Sequence, residues 1–234
     1  MSNQASDNNK RIAKNTLLLY FRMLLMMFVT LFTSRVVLDK LGVIDYGIYN
    51  VVGGIVAMLG FLNSSMSNAV QRYLSFEIGK KNDDGVNRVF NVSLLAHTGI
   101  AIFVLVAAEI VGVWYLNTYM NIPFERMDAA NWVLQCSIFT TLFSIVQVPY
   151  NAIIISKERM GIYAYISILE VVLKLLVVYM LSIGNFDKLK LYSVLIMMVS
   201  ICIMMIYMFY CAKKYKEAKF RLIKDRCLLR QIIG

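Results

Sequence analysis

Three basic side chains fall inside otherwise apolar stretches of this 234-residue sequence: Arg22, Arg35 and Lys174. A charge within a bilayer is costly, so such a residue reaches the headgroups, pairs with an opposite charge, or lines a water-filled cavity. Arg22 and Arg35 lie towards the ends of their stretches, where either could extend to the interface. Lys174 is central and one helical turn from Glu170, so its spacing allows either a self-neutralised pair or a pair that lines a cavity.

Polar residues recur in steps of three and four along three of the apolar stretches, which places each set on one face of a helix. The three stripes are Asn50, Gly53, Ala57, Gly60, Ser64, Ser67 and Gln71; Ser137, Thr140, Ser144, Gln147 and Asn151; and Tyr163, Ser167, Glu170 and Lys174. The first stripe consists mostly of small residues, which fit either close helix packing or a cavity. The larger Gln147 and Asn151, like Glu170 and Lys174, favour a water-filled cavity.

Six apolar segments must position these residues. Each is close to the ~20 residues that cross a bilayer as a helix. The chain is 59% hydrophobic and only 16% charged, with a mean hydropathy of +0.65, which lies outside the range of soluble domains. We therefore predict an all-α polytopic membrane protein with six transmembrane helices. Their expected ranges are 16–37, 47–70, 91–114, 129–155, 161–183 and 191–211.

The basic residues predict the orientation of these helices. Of the 24 Lys and Arg residues, 17 lie in the N-terminal segment, the second and fourth gaps and the C-terminal region, and four lie in the other gaps. Basic loops stay in the cytoplasm, so both termini are expected there. The net charge of +10 is then explained by topology and anionic lipid, and no nucleic-acid partner is expected.

The sequence predicts three regions. Residues 1–14 form a polar cytoplasmic segment that we expect to be disordered, and residues 15–211 form the six-helix bundle. Residues 212–234 form a basic amphipathic linker, whose end at Gly234 resembles the threshold of a further helix. The expectation is a half-length chain whose linker leads to an absent second bundle. In the first gap, 38–46, Gly42 and the nearby Gly47 predict a chain reversal around Asp45.

The sequence shows little sign of enzymatic activity or of metal binding. The sequence has no Walker A loop, GxSxG or HExxH, so no enzymatic activity is predicted. Its four cysteines show no metal-ligand spacing and no plausible disulfide, so we expect neither metal nor cofactor. Glu109 lies within a turn or two of a segment end and His97 is the single histidine; either can be a hydrogen-bonded packing residue, the role we expect for His97.

Three parts of the chain carry a family resemblance. They read LGVIDYGIY at 41–49, LNSSMS and QRYLSFEIG at 62–67 and 71–79, and VPYNAI followed by ERM at 148–153 and 158–160. In this order and at these helix positions they resemble the first loop, the second helix with its cytoplasmic loop, and the fourth helix of Wzx-type polysaccharide flippases. Those proteins belong to the multidrug/oligosaccharidyl-lipid/polysaccharide exporter superfamily.

The resemblance implies a MATE-like transporter in which two six-helix bundles enclose a central, usually cationic cavity that alternates its opening. It implies transfer of a polyprenyl pyrophosphate-linked oligosaccharide across the bacterial cytoplasmic (inner) membrane, for lipopolysaccharide, capsule or exopolysaccharide biosynthesis. Partners would be the bilayer, this substrate, and glycosyltransferases or a polymerase of the same pathway. Only the first bundle and the start of the linker would be present.

The resemblance also implies roles for individual residues. The anionic headgroup would be bound by Arg22, Arg35 and Lys174, because guanidinium groups grip phosphate bidentately and lysine acts as a point charge. Sugar hydroxyls would be bonded by Gln147, Asn151, Ser64 and Asn68. A coupling proton or cation would be carried by Glu170, Glu109 or Asp39.

Two alternatives stay open. A multidrug or organic-cation antiporter of the same superfamily would have an acidic cavity, whereas the one expected here is mixed to basic. An inactive, truncated half would only fold or bind a partner.

Overall fold

The computed structural model describes residues 2–59, 61–182 and 187–218, with side chains described within 15–58, 66–182 and 187–218. These residues form helices and no strand. The elements are α1 (Ser2–Leu59), α2 (Phe61–Gly79), α3 (Asp83–Ala107), a π-helical turn (Ala108–Gly112), α4 (Val113–Tyr119), a 3-10 turn (Phe124–Arg126), α5 (Met127–Ser156), α6 (Met160–Met180), α7 (Lys188–Lys214) and a 3-10 turn (Lys216–Ala218).

Within the described part of the chain, five helical stretches are long and apolar enough to cross a membrane: Asn15–Met58, Asp83–Tyr119, Phe124–Ser156, Met160–Met180 and Lys188–Lys214. The all-α, multi-pass class predicted from the sequence is therefore confirmed. The first stretch contains the first predicted segment and half of the second, so the count of six stays a prediction, as does the side on which the termini lie. Its most apolar window is 0% buried, as a lipid-facing surface requires.

Gly42 divides α1 into two arms, 2–41 and 43–59. Its backbone angles, φ 81° and ψ 167°, lie in a region that is essentially restricted to glycine. Met26 and Asn50 nevertheless line one cavity. Their separation of 24 positions would span roughly 36 Å in a straight helix. The chain therefore reverses at Gly42, and the two arms lie side by side.

The N-terminal segment differs from the prediction. Residues 2–14, expected to be disordered, are the beginning of α1. The reason is composition, because no glycine or proline precedes Gly42. A helix that forms in the apolar residues after position 14 can therefore continue without interruption towards the N-terminus.

The α5 helix is the centre of the bundle, since it packs against α1, α2, α3, α6 and α7. Its buried side chains belong to three apolar groups: one around Val133 and Leu134 near its beginning, a small one with Ile145, and one around Ile153 and Ile154 near its end. Both ends of α5 are thus fixed in apolar cores, and the polar residues between them face the neighbouring helices at defined positions.

The chain beyond α7 is held against one end of the bundle. The Lys157 ammonium lies 2.6 Å from the Glu217 carboxylate and 5.0 Å from the centre of the Tyr215 ring. The Asn87 side-chain amide donates to the Glu217 carbonyl at 2.5 Å. Of the predicted linker 212–234, residues 212–214 belong to α7 and Lys216–Ala218 form the 3-10 turn; 219–234 lie outside the described residues.

The Glu217 contact should make this attachment pH-dependent. Burial raises the pKa of Glu217, but the hydrogen bond from Lys157 and the surrounding positive charges lower it by more. The pKa of Glu217 therefore lies below the ordinary 4.5. A carboxyl whose pKa is lowered by folding stabilises the folded state above its unfolded pKa and loses that effect as the pH falls. We expect hydrogen exchange of 215–218 to be slower in the wild type than in Glu217→Gln at neutral pH.

This difference should shrink as the pH falls below the ordinary 4.5 and vanish once Glu217 is protonated in the folded protein as well. Comparing both proteins at each pH cancels the intrinsic pH dependence of exchange. Glu125→Gln is the control, because Glu125 is an exposed carboxylate elsewhere in the chain. Equal exchange in wild type and Glu217→Gln at neutral pH would contradict the attachment.

Candidate functional site

Arg22 is held inside the membrane-spanning part of α1 by an aromatic ring. Its guanidinium carbon lies 4.3 Å from the centre of the Tyr163 ring on α6. Its Nε is buried and has no hydrogen-bond partner in the structure. The side chain therefore packs against α6 instead of extending to the headgroups, and leaves one donor edge of the guanidinium unoccupied.

Glu170 and Lys174 form the pair that their spacing allows. The Lys174 ammonium donates to the Glu170 carboxylate at 2.6 Å, with the two side chains 40% and 29% exposed. Lys174 also lines a cavity between the arms of α1, α6 and α7. Both interpretations of the spacing thus hold, since the pair is neutralised and it borders a cavity.

The cavity beside Lys174 has a volume of about 240 Å³. Its walls include Tyr46, Tyr49 and Tyr192, and we call it the tyrosine cavity. The Tyr49 and Tyr192 rings meet edge to face, with centroids 4.7 Å apart. Hydroxyl side chains of the first arm of α1 form the opposite wall, so the cavity exists only because the chain reverses at Gly42.

A second cavity of about 160 Å³ adjoins the first, since Tyr49 and Ile196 line both. We call it the hydroxyl cavity. The predicted stripes of the second and fourth segments meet here; its further lining residues are Gly53, Ala57, Cys136, Ser137, Thr140, Thr141 and Ser193. The small residues of the first stripe thus line a cavity. Close helix packing and a cavity, the two interpretations of this stripe, do not exclude each other.

Arg22 is not among the residues that line either cavity, and the structure does not bring the remaining predicted anion and sugar ligands there. Arg35 and Asn68 are exposed. Gln147 and Asn151 are half-buried on α5, and the Asn151 side-chain oxygen is buried without a hydrogen-bond partner, but neither residue lines the tyrosine or the hydroxyl cavity. Ser64 lies outside the described side chains.

The three predicted coupling carboxylates have different surroundings. Asp39 is exposed, with its carboxylate 3.9 Å from the Lys40 ammonium. Glu170 is neutralised by Lys174. Glu109 lies in the π-helical turn, where it accepts a hydrogen bond at 3.1 Å from the neutral amide of Gln135 on α5.

His97 is fully buried on α3, with its Nδ1 2.8 Å from the Ser93 carbonyl oxygen. Because a carbonyl only accepts, Nδ1 carries the proton, and Nε2 has no partner in the structure. The packing role expected from the sequence fits this environment. Among the described residues, no group of His, Cys, Asp and Glu side chains could hold a metal ion.

Sequence reasoning missed a cluster that joins three connections. Arg126 contacts Asp45 at 3.1 Å and Asp187 at 2.8 Å, and Asp187 also caps the first turn of α7. We call these three residues the three-loop clamp. The signal was available, because the first, third and fifth gaps are predicted to lie on one side of the membrane, which brings their few charges together. Lys190 and Asp128 form a further pair close by.

Long apolar helices that enclose polar cavities and paired charges define a multi-pass membrane protein with the architecture of a carrier. Comparison with protein families agrees: the MatE model matches residues 19–180, well over half of the chain. The chain belongs to the MatE family, and so to the MATE superfamily of membrane transporters. No curated protein and no solved structure matches it.

Proposed function

We propose that this transporter is a Wzx-type flippase, which moves a polyprenyl pyrophosphate-linked oligosaccharide across the membrane by alternating access. The observation that carries the proposal is the state of Arg22. Its guanidinium is fixed by Tyr163 within the membrane span, its Nε donor is buried and unpartnered, and no ion pair with a carboxylate is seen for it in the described structure.

Such an arginine suits a diphosphate ligand. A guanidinium presents Nε–H and Nη–H side by side and binds two phosphate oxygens at once. A buried donor without a partner is unfavourable by about 1–3 kcal/mol, which a bound anionic oxygen would recover. Lys174 contributes less to this role because Glu170 already neutralises it.

A cation antiporter is less well supported, because such a transporter needs an unneutralised carboxylate at its cavity. The charged residue that lines the tyrosine cavity is Lys174, and no charged residue is among those that line the hydroxyl cavity. Glu109 is the best candidate for coupling, since its described partner is the neutral amide of Gln135 and not a cation. We assign that role to Glu109 in preference to Glu170 and Asp39.

The proposal includes a place in the cell. The six-helix bundle at 15–211 would be one half of the transporter in the bacterial cytoplasmic membrane, with both termini in the cytoplasm and the chain beyond 211 leading to a second bundle. The support is the distribution of basic residues and the docking of 215–218 on the bundle.

Arg22→Ala should lower the flipping rate of a fluorescent, short-chain polyprenyl pyrophosphate sugar in liposomes containing the purified protein. Loss of a charged hydrogen bond of about 1.5–3 kcal/mol corresponds to a reduction of roughly 10- to 100-fold. Arg22→Lys should retain an intermediate rate, because lysine keeps the positive charge but lacks the paired N–H donors that bind two phosphate oxygens at once. The rate is followed by accessibility of the lipid to an external quencher.

Arg35→Ala is the matched control, since Arg35 lies on the same arm but is exposed, and its rate should stay within about twofold of the wild type. A normal rate in Arg22→Ala would contradict the assigned role. Efflux of an organic cation without any movement of the sugar lipid would instead favour the antiporter.

A further inference from the structure

We propose that the tyrosine cavity, together with the adjoining hydroxyl cavity, binds an uncharged sugar ring of the transported glycan. The inference rests on the proposed function, because it assigns a separate place to the neutral part of that substrate. The residues of this site differ from the four for which the family resemblance implies sugar binding, Gln147, Asn151, Ser64 and Asn68.

The walls of the tyrosine cavity have the chemistry that a pyranose ring needs. Tyr46, Tyr49 and Tyr192 offer aromatic surface against which the C–H groups of a sugar can pack. Tyr192 is 7% exposed and meets Tyr49 edge to face, so the two rings hold each other in place. Ligand sites generally combine such an apolar wall with a few placed polar groups.

Those polar groups come from both arms of α1. Thr33 lines the cavity, and its hydroxyl oxygen is buried and has no hydrogen-bond partner in the structure. A buried hydroxyl in that state is unfavourable, and a ligand hydroxyl would satisfy it. Asn50 adds an acceptor, because its amide nitrogen donates to the Tyr46 carbonyl at 2.8 Å and its side-chain oxygen is not engaged by that bond.

Charge separates this site from that of Arg22. Lys174 is the charged residue of the tyrosine cavity, and its ammonium is 2.6 Å from the Glu170 carboxylate. The pair has no net charge and offers no attraction for an anion. A hydrocarbon chain fits no better, since it would leave the Thr33 hydroxyl unpaired. The neutral, hydroxyl-rich ligand is the one that matches both walls.

The hydroxyl cavity extends the site past Tyr49. Ser137, Thr140 and Ser193 line it, and a methyl group added at Gly53 would meet no atom within 4 Å. A substituent of the bound ring, or the next sugar unit, has room there and hydroxyl partners. Tyr49 is the shared wall and therefore the residue against which both parts of the ligand would pack.

Saturation-transfer NMR on the purified protein in lipid nanodiscs tests the site with N-acetylglucosamine and inorganic pyrophosphate as probes. The sugar should give a saturable signal. Thr33→Val, which keeps the shape but removes the hydroxyl, should weaken its affinity about threefold to tenfold. Gly53→Leu fills the hydroxyl cavity and should weaken it similarly. Tyr179→Ala is the control, because Tyr179 is 70% exposed on α6.

The two probes should respond to different residues. Arg22→Ala should reduce pyrophosphate binding and leave the sugar unaffected, whereas Thr33→Val should do the reverse. A sugar signal that is absent, or unchanged by both Thr33→Val and Gly53→Leu, overturns the sugar site. Sugar binding that persists in a protein that moves no sugar lipid would refute the proposed function and leave this site standing.

Discussion

Gly42→Ala is expected to destabilise the protein by straining the backbone at the point where α1 reverses. With φ 81° and ψ 167°, Gly42 occupies backbone space that an alanine enters at a penalty of about 1–3 kcal/mol. The strain can be relieved only by moving one arm of α1 relative to the other. We expect a lower midpoint of thermal unfolding in detergent, followed by intrinsic fluorescence.

Gly47→Ala is the matched control. Gly47 is helical and an added methyl group there meets no atom within 4 Å, so the change should be neutral or stabilising by up to about 1 kcal/mol. Similar unfolding midpoints for Gly42→Ala and Gly47→Ala would show that the reversal does not depend on the backbone of Gly42. Space alone cannot explain a difference, because an added methyl group at Gly42 likewise meets no atom within 4 Å.

The same glycine links the fold to both proposed sites. The reversal places Tyr46 and Tyr49 of the second arm opposite Thr33 of the first, and so creates the tyrosine cavity. We therefore expect Gly42→Ala to weaken sugar binding as well as stability, whereas the direct contact of Arg22 with Tyr163 involves only the first arm and α6.

Local features were predictable from the sequence because they depend on neighbours along the chain. Apolar length gave the class of protein and the approximate place of the later helices, and the i, i+4 spacing gave the Glu170–Lys174 pair. The turn was expected over 38–46 with Gly42 and Gly47 both involved. It is confined to Gly42, and Asp45 already belongs to the following helix.

Contacts between distant segments were not predictable in this way. The position of Tyr163 beneath Arg22 depends on how α6 packs against α1, which hydropathy does not encode. The stripe on α5 shows the same limit. Its residues share one face, but from Ser137 to Asn151 they extend over roughly 21 Å, and only the residues at its beginning reach the hydroxyl cavity.

Arg126→Ala should have the second large effect on stability, because it breaks the three-loop clamp. Removing Arg126 leaves the Asp45 carboxylate, with its side chain 8% exposed, without its cation, and also unpairs Asp187. Breaking a fully buried pair is destabilising by about 3–5 kcal/mol, and an exposed pair contributes at most about 1 kcal/mol. Arg126 is 39% exposed, so we expect a loss of about 2–3 kcal/mol in the free energy of unfolding, measured by denaturant titration in detergent.

Two further variants identify the cause of that loss. Lys190→Ala removes a neighbouring pair whose Asp128 side chain is 74% exposed, and it should lower the free energy of unfolding by less than about 1 kcal/mol. Adding Asp45→Asn to Arg126→Ala should recover part of the stability, because a neutral amide is less unfavourable than a carboxylate at a site so little exposed. If Arg126→Ala were no worse than Lys190→Ala, or if the double variant were less stable than Arg126→Ala, the buried carboxylate would not be what makes the clamp matter. The order of stability of these three variants therefore tests whether the loss in the free energy of unfolding comes from the unpaired charge of Asp45 or from the loss of contacts between the loops.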